Sequence, residues 1–202
     1  MKSNIKNLLE DNNIGYAIIK GDYDKESYKY ENTNIKEDLD IVLDCNKNLL
    51  FDLFKNNNEY KFIEGNTFLE IKNNLRIDFY FKTINVGYYH FLKVSKISFQ
   101  EKKITSDDYI IYLLLEPLLK FNKYHSRHIY RIKMYFKNFK KTEVLYILQK
   151  IIGKKLSLSL VNKVSNNNFN ISKGFIKICK IKLLFINNNF VKMIKSRTVN
   201  DL

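Results

Sequence analysis

Two carboxylates two residues apart open what otherwise reads as a buried strand, Lys36-Glu37-Asp38-Leu39-Asp40-Ile41-Val42-Leu43-Asp44. Side chains alternate faces along a strand, so Asp38 and Asp40 point the same way, about 6.5 Å apart along the backbone, while Leu39, Ile41 and Leu43 point the other. Two like charges held on one face repel. The arrangement makes sense when a divalent cation sits between them, and Mg²⁺, which prefers carboxylate oxygen, is the first candidate. A third acid occupies the centre of a second apolar strand, Leu75-Arg76-Ile77-Asp78-Phe79-Tyr80-Phe81, where burial without a partner is costly. If the two strands are neighbours, Asp78 becomes the third carboxylate of one cluster. Arg76, Asp78 and Tyr80 share a strand face, so Arg76 either fixes a carboxylate or phosphate beside the metal or makes a structural salt bridge.

The elements that must position these acids begin with a short apolar strand, Tyr16 to Lys20, that runs into Gly21-Asp22. Glycine there permits a tight turn and close backbone approach to a ligand. A Gly-containing turn, then D-x-D, then an apolar-Asp-apolar strand about forty residues on: in this order the chain resembles the DNA polymerase beta-like nucleotidyltransferase superfamily over roughly residues 14 to 81. The resemblance implies an α/β fold, a small mixed β-sheet core with a helical C-terminal half, and two-metal phosphoryl transfer. By the same resemblance Asp38 and Asp40 hold two Mg²⁺ that grip the triphosphate, and Asp78 binds the metal that activates the acceptor hydroxyl. Lys20, Gly21 and Asp22 form the turn that touches the nucleotide. Lys36 and the neighbouring Lys25 and Lys29, together with Arg76, Arg127 and Arg131, are further phosphate contacts. A nucleoside monophosphate would pass from an NTP, ATP or CTP, to an RNA end, a glycan or small molecule, or a protein side chain.

Asp22 stands where that family carries a second Gly or Ser. An acid is a poor phosphate neighbour, and this departure keeps a second class of function open: a catalytically inactive, basic RNA- or partner-binding module. Relatives that transfer a phosphorylated alcohol to surface glycans share the core. Glycosyltransferases also use D-x-D to bind nucleotide-sugars, but the chain is short for one of their domains.

The rest of the chain reads as supporting structure. Ser3 caps a short helix with Ile5, Leu8 and Leu9 on one stripe, ending near Asn12-Asn13. Residues 22 to 37 form a polar loop long enough to suggest function. Leu49, Leu50, Leu53 and Phe54 set a helix over Lys47 to Lys55. Two short strands, Glu59 to Glu64 and Thr67 to Lys72, hinge at Gly65-Asn66, and Asn73-Asn74 turns the chain into the Asp78 strand. Tyr88 to Gln100 alternates weakly, as one or two edge strands would. Thr105 or Ser106 then caps a helix with Asp107 and Asp108 in its first turn, which Pro117 should kink or end. A helix over Ser126 to Phe139, a third capped by Thr142 and stopped at Gly153, and one or two more in the last fifty residues complete the chain. The longest of these is expected over Ile171 to Asn187, with Lys173, Lys177, Lys180 and Lys182 rimming an apolar face. The division expected is 1–103 for the α/β core and 104–202 for a basic helical region packed on it.

Charge divides along the same line. Residues 1 to 100 hold 14 Lys and Arg against 15 Asp and Glu, whereas residues 101 to 202 hold 21 against 6. The back half therefore suits a polyanion: an NTP, nucleic acid or phosphorylated glycan, or the head groups met in peripheral membrane contact. Sequence does not separate these partners, since each is read through the same lysines. His125 and His128, with Arg127 and Arg131 nearby, share a face at helical spacing, but no Glu or Cys completes a zinc set, which leaves a phosphate-binding basic face or a plain exposed helix face. Cys45 and Cys179 are expected reduced and near-core in a cytoplasmic protein, with no signal peptide over Met1 to Asn13. No transmembrane span is expected either, because Tyr109 to Leu119 is broken at Glu116-Pro117 well short of the ~20 residues a bilayer needs.

Overall fold

The computed structural model describes residues 5–20, 38–55, 57–87, 89–136 and 141–186. The chain divides into two compact units, Met1–Thr83 with Val94–Thr105, and Ile84–Lys93 with Ser106–Leu202. Residues 84–93 thus group with the C-terminal helices.

The first unit is a mixed sheet with helices on one face. Its strands are β1 (Tyr16–Lys20), β2 (Leu39–Leu43), β3 (Tyr60–Glu64), β4 (Thr67–Glu70) and β5 (Leu75–Phe81), in the order β1-β2-β5-β4-β3. Of these strands only β2 and β5 pair in parallel; the other three pairings are antiparallel. That single parallel pair follows from connectivity: between β2 and β5 the chain passes through α2 (Lys47–Lys55) and the β3-β4 hairpin, long enough to return to the same end of the sheet. Ile18, Ile41, Leu43, Ile77, Phe79 and Phe68 form one buried layer with Ile5 and Leu9 of α1 (Ile5–Asp11) and Leu50 and Phe54 of α2. The rings of Phe54, Phe68 and Phe79 meet at centroid distances of 4.6–5.9 Å, in the range where tilted and edge-on aromatic pairs gain beyond simple burial. α3 (Lys96–Gln100), capped by the Ser95 hydroxyl, lies in this unit where a strand was expected. Of the one or two edge strands expected over Tyr88 to Gln100, one forms, at Tyr89–Lys93, and beyond it the alternation is too weak to hold a strand against a capping serine.

β6 (Thr83–Val86) begins in the first unit, where Thr83 pairs with Phe81, and in the second unit β6 pairs with β7 (Tyr89–Lys93). Five described helices follow: α4 (Ser106–Phe121), α5 (Ser126–Phe136), α6 (Lys141–Ile152), α7 (Lys154–Ser165) and α8 (Lys173–Leu184). α4 is buried nearly all round from Asp108 to Leu119, not along a stripe, and it continues through Pro117 for four more residues. Tertiary burial outweighs the roughly 3 kcal/mol that an interior proline costs an isolated helix. Thr142 lies inside α6 rather than capping it, and Gly153, at φ +84°, separates α6 from α7. α7 and α8 are equal in length at 12 residues. Asn13, Asn74, Asn122 and Asn167 adopt φ values of 50–57° at element ends, a left-handed conformation that asparagine tolerates better than other side chains with a Cβ. No described helix is long and apolar enough to cross a membrane.

Candidate functional site

Parallel pairing of β2 with β5 sets Leu39 opposite Ile77, Asp40 opposite Asp78 and Ile41 opposite Phe79. Paired residues of adjacent strands share a face. Leu39, Ile41, Ile77 and Phe79 belong to the helix-covered layer, so Asp40 and Asp78 both stand on the other face, about 4.8 Å apart at the backbone. Asp38 precedes β2 by one residue and has the same parity as Asp40. The register was fixed by the apolar pattern on the opposite face, because a one-residue slip of either strand would turn its own isoleucine outward and its own acid into the core.

Each acid meets a cation. Lys20 pairs with Asp40 across an irregularity at the end of β1, and its Nζ lies 3.8 Å from Oδ2 of Asp40. The irregularity matters, since it returns Lys20 to the face of the carboxylate. Arg76 Nε lies 3.4 Å from Oδ1 of Asp78. Asp78 beside it raises the Arg76 pKa, with Asp38 and Glu64 adding to the effect, so Arg76 is in electrostatic range of three acids. Asp40 is buried at 4% exposure, whereas the Arg76 side chain is nearly half exposed. The two ion pairs therefore differ in strength: solvent screens the second far more than the first.

Thr67 was not singled out in the sequence. Residue 67 opens β4 directly after the Gly65-Asn66 turn and pairs with Asp78. Its hydroxyl donates to Oδ1 of Asp78 at 2.5 Å, the same oxygen that Arg76 meets. Among the described residues, Oδ2 of Asp78 is the oxygen left for another ligand. The turn over residues 71–74, which joins β4 to β5, could have revealed Thr67, because hairpin geometry constrains which residue comes opposite the acid.

Other expected site residues divide into two groups. Gly21, Asp22, Lys36 and the loop lysines Lys25 and Lys29 lie outside the described residues. Arg127 and Arg131 are on α5 of the second unit, where Arg127 is exposed and its guanidinium stands 5.9 Å from the Phe121 ring centre. The two histidines interact with each other: His128 is buried, its Nδ1 accepts from the His125 backbone N–H at 3.1 Å, and its ring stacks on Phe121. His125 precedes α5 instead of sharing a helix face, and the motif is a helix-start structure. Among the described residues no three His, Cys, Asp or Glu side chains are grouped closely enough to hold a metal as they stand. No protein-family model, curated protein or solved structure matches the chain.

Proposed function

We propose that the chain is a Mg²⁺-dependent nucleotidyltransferase with Asp38, Asp40 and Asp78 as its metal-holding residues. The observation that carries this reading is the register of β2 and β5, which sets Asp40 against Asp78 on the face Asp38 shares. These donors fit the ion: all are hard carboxylate oxygens, with neither thiolate nor imidazole to favour a softer metal. Bound there, Mg²⁺ would supply charge neutralisation to the triphosphate and to the departing pyrophosphate. Thr67 and Arg76 fix the Asp78 carboxyl through one oxygen and leave the other for a ligand. Lys20 and Arg76 hold the acids in place and can turn their charge toward phosphate when a nucleotide enters. The charge excess of residues 101–202 supports an anionic acceptor, an RNA end or a phosphorylated glycan.

A second reading is favoured by the two ion pairs themselves. Lys20 with Asp40 and Arg76 with Asp78 neutralise both acids within the chain, as structural pairs would in a basic RNA- or partner-binding module. Incubation of the full chain with Mg²⁺, each α-labelled NTP and an acceptor mixture of RNA, phosphorylated glycans and lysate protein separates the two. Label should move to one acceptor class and stay put with Asp40→Asn or Asp78→Asn. No transfer to any class selects the binding module.

A further inference from the structure

Helix α8 presents two different sides. Ile176, Cys179 and Leu183 are buried in its own unit. Its outer side carries Ile178 and Ile181, 48% and 45% exposed, with Phe185 just past the helix end at 79%. Spacings of three and four residues align these side chains in one ridge. Single exposed apolar residues are ordinary on a protein surface, whereas an aligned set rimmed by polar groups marks a contact surface. The rim here is basic: Lys173, Lys177 and Lys182 are exposed, Lys180 donates to Asn122, and α8 contains no acid. A groove of about 390 Å³ runs beside the helix, where Lys173, Lys177 and Lys180 meet Ile176, Ile181 and Leu184, and it continues the same mixture of ammonium and aliphatic groups inward.

We propose that this face of α8 docks on the surface of a bilayer containing anionic phospholipid, with the Ile178-Ile181-Phe185 ridge entering the head-group and upper acyl region and the lysines resting on lipid phosphates. Charge and apolarity together select this occupant. Nucleic acid satisfies lysines but offers two isoleucines nothing apolar to bury against. A second copy of the chain laid face to face would bring two lysine rows together without an acid between them. An interfacial helix needs the combination seen here, a basic polar border and an aliphatic-aromatic ridge, and it does not need the length of a spanning helix. The inference is independent of the chemistry assigned to the aspartates.

The chain has no tryptophan, so Phe185→Trp introduces a single reporter. Titrated with vesicles of phosphatidylcholine and phosphatidylserine, that variant should shift its emission to the blue, and with phosphatidylcholine alone it should shift far less. An unshifted spectrum overturns the proposal. In sedimentation with the same vesicles, Lys173→Gln, Lys177→Gln and Lys182→Gln together should weaken binding on the order of a hundredfold, about fivefold per charge. Ile178→Ser with Phe185→Ser should also weaken binding, by at least tenfold; retained affinity means that charge alone is responsible and overturns the assignment. All five positions are exposed, and circular dichroism confirms that each variant is folded. Tighter binding to single-stranded RNA than to vesicles, insensitive to Phe185→Ser, gives the face to RNA. A dimer by light scattering that Phe185→Ser dissolves gives it to a second copy.

Discussion

Replacing Asp40 by asparagine tests the acid cluster without disturbing its shape. Asp40 is almost fully buried, and the Nζ of Lys20 is 3.8 Å from its carboxylate. At an effective dielectric constant of about 20, unit charges at that separation attract by roughly 4 kcal/mol. Asp78, opposite it on the neighbouring strand, repels Asp40 and offsets part of that attraction. Asp40→Asn removes both, so without metal the variant should lose less than about 3 kcal/mol of stability. A buried ion pair with no like charge opposite would lose about 3–5 kcal/mol on such a change. Mg²⁺ at a hundred times its dissociation constant should stabilise the wild-type chain by about 2.7 kcal/mol, a rise in melting temperature on the order of 5–10 °C for a chain of this length. The variant should gain less than about 2 °C, since its donor set has lost a charge and an oxygen. Thermal unfolding of both proteins with EDTA and with Mg²⁺ reads all four values. A wild-type chain indifferent to Mg²⁺ together with a variant destabilised by about 3 kcal/mol or more would refute the metal site and leave a structural ion pair. Equal stabilisation of both proteins would place the cation elsewhere.

Arg76→Met should lower stability by no more than about 1 kcal/mol in urea unfolding, because the guanidinium is nearly half exposed, yet weaken nucleotide binding by calorimetry at least tenfold if that guanidinium reaches phosphate. Stability should fall as pH rises above about 9. Burial lifts the Cys179 thiol from its ordinary 9.0 to about 12 and also raises Tyr60 and Tyr124. Between those pH values the unfolded thiol gives up its proton while the folded one retains it, so the native state holds more protons and each such group removes up to about 1.4 kcal/mol per pH unit. Urea midpoints at pH 8 and pH 10.5 measure the loss, and equal midpoints would contradict it. Gly153→Ala should cost on the order of 1 kcal/mol: φ is +84° there and an added Cβ meets nothing within 4 Å, so the penalty is backbone strain alone. A stabilised variant in thermal unfolding would show that the α6-α7 junction relaxes freely.

Strands and helices with a strong apolar period were legible residue by residue. Tyr16–Lys20, Lys47–Lys55 and Leu75–Phe81 occupy the spans their alternation and helical spacing indicate. Elements decided by competition were not. Residues 96–100 became a helix because Ser95 supplies a cap, and Pro117 sits within α4 because burial on every side outweighs a lost hydrogen bond. Similarly, the placement of Asp38 and Asp40 on one face follows from the two-residue period of any strand, which the sequence alone determines. That Asp78 comes to stand beside them is a matter of tertiary structure, because only the pairing of β2 with β5, in one register out of several, brings residues 40 and 78 opposite each other. Thr67 and Lys20 acquire their partners in the same way: hydrogen bonds and ion pairs across strands depend on register, and register is chosen by the apolar face that the core must bury, whereas Arg76 meets Asp78 two residues along the same strand.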